Sequence, residues 1–271
     1  MKTDDLLFQL KTSNIALFGT GFVAEMFFEA LTELGLSSKL CCCIVSSARE
    51  RETFHGRPVF TADSYSLPED TVLCVAVHES VAVELNDTLN NISDKRVWIY
   101  PNLFELLYGE PVVPFKSVKL SDLLSKQNSE EYWLALRYAA IRDYLKREPN
   151  YWRTRELYIK LISFHCSYDT AVRRCRQMEK LADSMAEGGF WDNSPVAVNE
   201  HGKIIDGLHR IACAAYLYID KIPAVVYPES EVYDRLLGKE NRLPESLLVN
   251  AGVSFSDIQY LKDAMEEMLK R

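Results

Sequence analysis

Asp206, His209 and Arg210 fall within one five-residue stretch, Asp-Gly-Leu-His-Arg at 206–210. Each residue type brings its own chemistry. A carboxylate accepts the proton of a substrate hydroxyl or holds Mg²⁺. An imidazole donates to a phosphate oxygen or moves a proton near neutral pH. A guanidinium offers a planar, permanently charged fork suited to phosphate. The pair Ile204-Ile205 precedes them, and the Ala-rich run "IACAAY" follows. That order reads as strand, tight turn and helix start. Gly207 supplies the backbone angles that a sharp turn needs. Leu208, His209 and Arg210 then lie in the first helical turn, where amides lack partners and the helix dipole is positive. The spacing therefore predicts an anion site. The plainer alternative makes Asp206 an N-cap and Arg210 its salt-bridge partner.

A second candidate lies near the start. Gly19-Thr20-Gly21-Phe22-Val23-Ala24 is a GxGxxA pattern between the apolar run "NIALF" (14–18) and a helical pattern of Val23, Phe27, Ala30 and Leu34. Gly19 allows the tight turn, Gly21 lets the backbone approach a phosphate, and Ala24 permits close helix–strand packing. A dinucleotide site usually adds an acidic residue about 20 positions on. Here the second strand ends instead in Ser46, Ser47, Arg49 and Arg51. Hydroxyls and cations suit the 2′-phosphate of NADP, or form an ordinary exposed loop.

These residues need a frame. The apolar runs "NIALF", "KLCCCIV", "TVLCVAV" and "RVWIY" are separated by helical patterns. Strands alternating with helices predict βαβ units and a parallel sheet, closing a first domain at 1–113. Residues 114–160 read as a linker of two helices broken at Pro149, with Tyr and Trp there for packing. A third segment, 161–228, is more compact. "LISF" reads as a short strand, and Asp169 or Thr170 caps a helix whose apolar face is Val172, Cys175, Met178, Leu181, Ala182 and Met185. Gly188-Gly189 ends that helix. "PVAVN" and "KIID" around "EHG" predict a hairpin, and "AVVY" a further strand. The tail, 229–271, reads as helices. The stripe Ile258, Leu261, Met265 and Leu269 suits either packing back or a homodimer contact. The predicted class is α/β: a parallel sheet, a helical linker, an α+β domain and a helical tail.

Bulk properties narrow the partners. The net charge of −8 over 271 residues argues against general nucleic-acid affinity, which leans on many Lys/Arg–phosphate contacts. Seven cysteines, an odd number with no CxxC pair, fit a reduced, cytoplasmic protein. The adjacent Cys41, Cys42 and Cys43 read as small buried hydrophobes. "MKTDDLLFQL" lacks the apolar core of a secretory signal. No run approaches the ~20 apolar residues of a membrane span.

Two resemblances add to this. Residues 1–110, with "GRPVF" at 56–60 and "VAVHESV" after the third strand, resemble the small Rossmann-like domain at the front of sugar O-acyltransferases. That likeness implies a site for a nucleotide-linked sugar, or a supporting role. Residues 161–228, from "RQMEKLADSMAEGG" through "PVAVNEHGKIIDGLHRIACAAYLYIDKIPAVVY", resemble the ParB/sulfiredoxin-like fold. Its members bind nucleotides at a Gly-x-x-Arg turn, here Gly207, Leu208, His209 and Arg210. Sulfiredoxins carry a catalytic Cys where this chain has Leu208. Partition clamps carry a more basic motif and a DNA-reading domain. The free-serine kinases carry Asp-Gly-His-His-Arg, of which Asp-Gly-Leu-His-Arg keeps four of five residues. That resemblance implies ATP or ADP with Mg²⁺, Asp206 on the substrate hydroxyl or metal, and His209 and Arg210 on phosphates. The kinases also use a Glu base in the loop before the first helix. This loop, "SFHCSYDTA", has none, which leaves His165 or Asp169 for that role. Arg173, Arg174 and Arg176 either attract polyphosphate or form a solvated face.

The leading expectation is a small-molecule kinase with an accessory front domain. A non-catalytic nucleotide-binding or scaffold protein of surface-polysaccharide or secondary-metabolite biosynthesis is the second. An NADP-dependent oxidoreductase, resting on Gly19, Gly21 and the Ser/Arg loop, is the third.

Overall fold

A computed structural model describes residues 2–46, 52–77, 82–127, 132–149, 151–164, 166–190, 194–230 and 243–270. The class is α/β. The chain divides into two compact units, Met1–Gly109 and Glu110–Arg271.

In the first unit, helix α1 (Thr3–Thr12) leads into β1 (Asn14–Phe18), α2 (Phe22–Glu33) and β2 (Leu40–Val45). A short β3 (Thr53–Phe54) and β4 (Arg57–Thr61) follow, then β5 (Thr71–Val75), α3 (Ala82–Ile92), β6 (Arg96–Trp98) and α4 (Leu103–Tyr108). The sheet order is β3-β4-β2-β1-β5-β6, parallel throughout except for the β3–β4 pair. The strands are continuous apolar runs because both faces are covered. Every residue of β5 is buried, as are Ile15, Ala16, Leu17 and Phe18 of β1. The cysteine run behaves otherwise than expected. Cys42 and Cys43 are buried, but Cys41, near the start of β2, is exposed. Its thiol is lowered to about 7, chiefly by the hydrogen bond it shares with Cys42.

The second unit begins earlier than the sequence suggested. β7 (Val113–Lys119) is an edge strand of a sheet ordered β7-β10-β8-β9. The remaining elements are α5 (Leu120–Leu124), α6 (Trp133–Leu145), α7 (Tyr151–Ile162), α8 (Tyr168–Gly188), β8 (Val196–Asn199), β9 (Ile204–Asp206), α9 (Leu208–Tyr216), β10 (Lys221–Tyr227), α10 (Glu245–Asn250) and α11 (Phe255–Leu269). β10 runs parallel to β8 and antiparallel to β7, and β8 and β9 form the expected hairpin.

The expected linker, 114–160, is part of this unit's body. Helix α6 is buried nearly all round and packs against α7, α8, α9 and α11. Ala135, Ala139 and Ala140 let its neighbours approach closely, and its aromatics Trp133 and Tyr138 serve packing. Pro149 falls between α6 and α7, as expected. "LISF" is not a strand. Leu161 and Ile162 extend α7, one turn beyond the buried Leu157 and Tyr158 on the same face. The cap of α8 is Ser167, whose Oγ accepts from the Thr170 amide, because Asp169 and Thr170 already lie inside the first turn. Gly189 ends the helix at φ 73. The tail stripe is buried within the unit at Ile258, Leu261 and Met265, and only Leu269 is partly exposed.

Candidate functional site

The hairpin strand β9 delivers Asp206 to the start of α9. Between them Gly207 takes φ +103 and ψ 18, in the left-handed region. The position is crowded as well as twisted. A Cβ at Gly207 would lie 2.6 Å from Val196 Cγ1 and 3.2 Å from Arg210 Nη2. Glycine is required here for both reasons. With no side chain at the N-cap, α9 starts uncapped. α8 and α11, by contrast, start at the serine caps Ser167 and Ser254.

Arg210 does not point outward. Its Nη1 donates to the Ser194 carbonyl (2.7 Å), to Ser194 Oγ (2.9 Å) and to the Pro195 carbonyl (2.8 Å). Its Nη2 donates to Asp206 Oδ2 at 2.7 Å. The guanidinium thus ties the segment before β8 to the end of β9. His209 faces inward: its Nε2 lies 2.7 Å from the hydroxyl of Tyr158, a fully buried residue of α7. Leu208 packs against the core.

The remaining arginine here comes from α6. Arg137 Nη1 donates to the Trp133 carbonyl at 2.9 Å, and the guanidinium stacks over the Trp133 ring at 5.2 Å. Its Nε is buried without a hydrogen-bond partner. Burial lowers the pKa of this guanidinium and the Arg174 charge adds to that, while Tyr158 and Asp206 oppose it. The same neighbourhood acts on Tyr158, whose hydroxyl burial pushes up to about 12. Arg137 and Arg174 pull it down, and Cys175 and Cys166 add to the rise. Asp206, His209, Tyr158, Arg137 and Arg174 thus form one electrostatic neighbourhood at the head of α9.

Other predicted residues are placed less centrally. Asp169 is exposed in the first turn of α8, and Arg173, Arg174 and Arg176 are exposed along it. His165 lies outside the described residues. Among the described residues, no three His, Cys, Asp or Glu side chains gather as a metal-binding group. Mg²⁺ with a nucleotide needs only one or two protein carboxylates, since phosphates and water complete its shell.

In the first unit, Gly19, Thr20, Gly21 and Phe22 form the turn from β1 into α2. The strand order reverses beside β1, with β2 and β4 on one side and β5 and β6 on the other. Open α/β sheets bind ligands at such a point. Gly19 (φ +105) is tied to Ile44 by its amide, and a Cβ there would meet the Ala76 carbonyl at 3.1 Å. Gly21 is exposed, with open space where a Cβ would stand. Gly19 is therefore demanded by packing, whereas Gly21 leaves room for an approaching group. Ser46 is exposed just after β2, and Arg49 lies outside the described residues.

Sequence reading alone missed Arg137 and Tyr158. Arg137 had a signal: it is the one cation in the apolar run "WLALRYAAI" (133–141). Arginine is seldom buried unless it has a partner.

The raised pKa of Tyr158 has a consequence. Its folded value, about 12, exceeds its ordinary value of 10. The stabilisation is fully present below about pH 10 and is lost as pH rises toward 12. Tyr158→Phe should flatten the alkaline limb of the stability curve across that window, measured by urea unfolding. An unchanged slope would mean that other groups govern it.

No known protein family, curated protein or solved structure matches the chain significantly.

Proposed function

We propose that the second unit is a nucleotide-binding phosphotransferase, moving a phosphoryl group from ATP or ADP to a metabolite hydroxyl. The observation that carries this reading is the uncapped start of α9 backed by Arg137, a half-buried cation whose buried Nε has no hydrogen-bond partner among the described residues. An anion at that start would complete the amides of the first turn and offset the charge of the half-buried guanidinium. His209 would donate to a phosphate oxygen. Asp206 would take the proton of the attacking hydroxyl, as the bond to phosphorus forms and the nucleotide leaves with the bridging oxygen. Catalysis of this kind is mainly positioning and charge neutralisation. Arg210 would hold the turn in shape rather than touch phosphate. The β8–β9 hairpin, left-handed Gly207 and the helix that follows support the likeness to the ParB/sulfiredoxin-like fold. The turn at Gly21 would serve a second nucleotide, NADP or a nucleotide sugar.

Calorimetry with ATP, ADP and CTP, each with Mg²⁺, tests the nucleotide site. Arg137→Met keeps the packing volume and removes the charge. It should weaken binding by roughly tenfold or more, the scale of a charge-assisted hydrogen bond. Undiminished affinity would remove Arg137 from the site.

One observation favours a second reading, a non-catalytic nucleotide-binding or scaffold protein. The Asp206 carboxylate is already held by Arg210 at 2.7 Å. Incubation with ATP or ADP, Mg²⁺ and a panel of hydroxylated metabolites decides between the two. Phosphorylated product supports the kinase, and binding without turnover supports the scaffold.

A further inference from the structure

A cavity of about 410 Å³ opens between α6, α7 and α11, away from the turn at Gly207. Its floor is the carboxylate of Asp143, only 4 % exposed. Oδ2 accepts from Thr154 Oγ1 at 2.6 Å and from the Tyr260 hydroxyl, and Oδ1 accepts from Arg142 Nε at 3.1 Å. Arg142 also donates to Tyr260 and, at 2.6 Å, to Glu267. These groups satisfy one another and fix the three helices, so the floor is rigid. On the wall, Arg153 donates to Asp257 at 2.6 Å and to Ser256 Oγ at 2.9 Å.

The pairing leaves a remainder. Arg142 is matched by Asp143 and Glu267, and Arg153 by Asp257. Lys146 and Glu148 also line the cavity, both exposed, and among the described residues neither side chain makes a hydrogen bond or ion pair. One ammonium and one carboxylate therefore stand unmatched beside the cavity. Arg153 adds to the positive side, because a guanidinium has five N–H donors and only Nη2 is engaged. The Asp143 carboxylate, engaged by Arg142, Thr154 and Tyr260, closes the floor without a free charge of its own. A ligand bearing both charges complements this arrangement, whereas a simple anion or cation leaves one group unmatched. The volume lies within the range of small-molecule pockets.

We propose that this cavity binds a small zwitterion of the α-amino-acid class, its carboxylate on Lys146 and Arg153 and its ammonium on Glu148. The site is separate from the phosphoryl-transfer residues.

The test uses the full chain without nucleotide. Each of the common amino acids is added singly, and the melting temperature is followed over a concentration series. At least one should raise it saturably, and the best binder then goes to calorimetry together with its methyl ester and N-acetyl derivative. Removing either ligand charge should weaken binding roughly tenfold or more. Lys146→Ala and Glu148→Ala, both exposed and so tolerated by the fold, should each do the same. No shift with any amino acid overturns the proposal. So does full binding by either blocked derivative, or full binding by either variant. The assay contains no nucleotide, so its outcome is independent of phosphoryl transfer at Asp206.

Discussion

Gly207→Ala should destabilise the second unit by about 2–5 kcal/mol. Left-handed geometry costs an L-residue roughly 1–2 kcal/mol. Overlap in a packed site adds about 1–3 kcal/mol. Both apply here. Gly207 sits at φ +103, and its added Cβ would lie 2.6 Å from Cγ1 and 3.0 Å from Cβ of the fully buried Val196. The neighbour cannot yield easily, because Val196 belongs to β8, held between β9 and β10. Urea unfolding measures the loss as a lower midpoint at unchanged slope. Adding Val196→Ala should recover the 2.6 Å overlap with Cγ1 but neither the 3.0 Å approach to Cβ nor the backbone strain. A double-mutant cycle then yields a favourable coupling for the steric part alone. A loss below about 1 kcal/mol for the single variant would mean that the turn relaxes into another conformation.

The turn was legible because its signals are local. Two β-branched residues, Asp-Gly and an Ala-rich run describe a strand, a turn and a helix within fourteen residues, 203–216. The parallel strands were legible for a related reason, since burial on both faces leaves an unbroken apolar run such as "TVLCV". β7 was not. Its residues "VPFKSVK" are largely exposed, and an edge strand carrying Pro114, Lys116 and Lys119 shows no burial pattern. Helix α6 is legible as a helix but not as a core element. Its charged end, "RDYLKREPN", has the composition of a solvent-facing linker, while the continuous apolarity of 133–141 marks a central helix. Arg137 and Tyr158 reach the head of α9 only by tertiary packing of α6 and α7. No local spacing relates them to residue 209.

Arg210 is where the sequence and the structure divide most, and its replacement has the second large effect. As a phosphate ligand its loss would weaken binding and leave folding untouched. The geometry assigns it a different part. The side chain is 18 % exposed and donates to three acceptors on Ser194 and Pro195, and to Asp206. Arg210→Met should therefore cost about 2–4 kcal/mol of stability. Breaking a buried charged pair is worth more than that, and partial exposure of Asp206 reduces it. Arg210→Lys should restore little, because one ammonium cannot span acceptors on both sides as a planar fork does. Asp206→Asn should cost less than Arg210→Met, since an amide oxygen still accepts from Nη2. Urea unfolding ranks the three variants, and calorimetry with Mg-ATP on the folded protein gives the second axis. Stability falling in that order, with affinity following it, fits a clamp that shapes the start of α9. Full stability with lost affinity in Arg210→Met would return Arg210 to the phosphate. The Asp206 carboxylate would then be free for chemistry only when a ligand draws the guanidinium away.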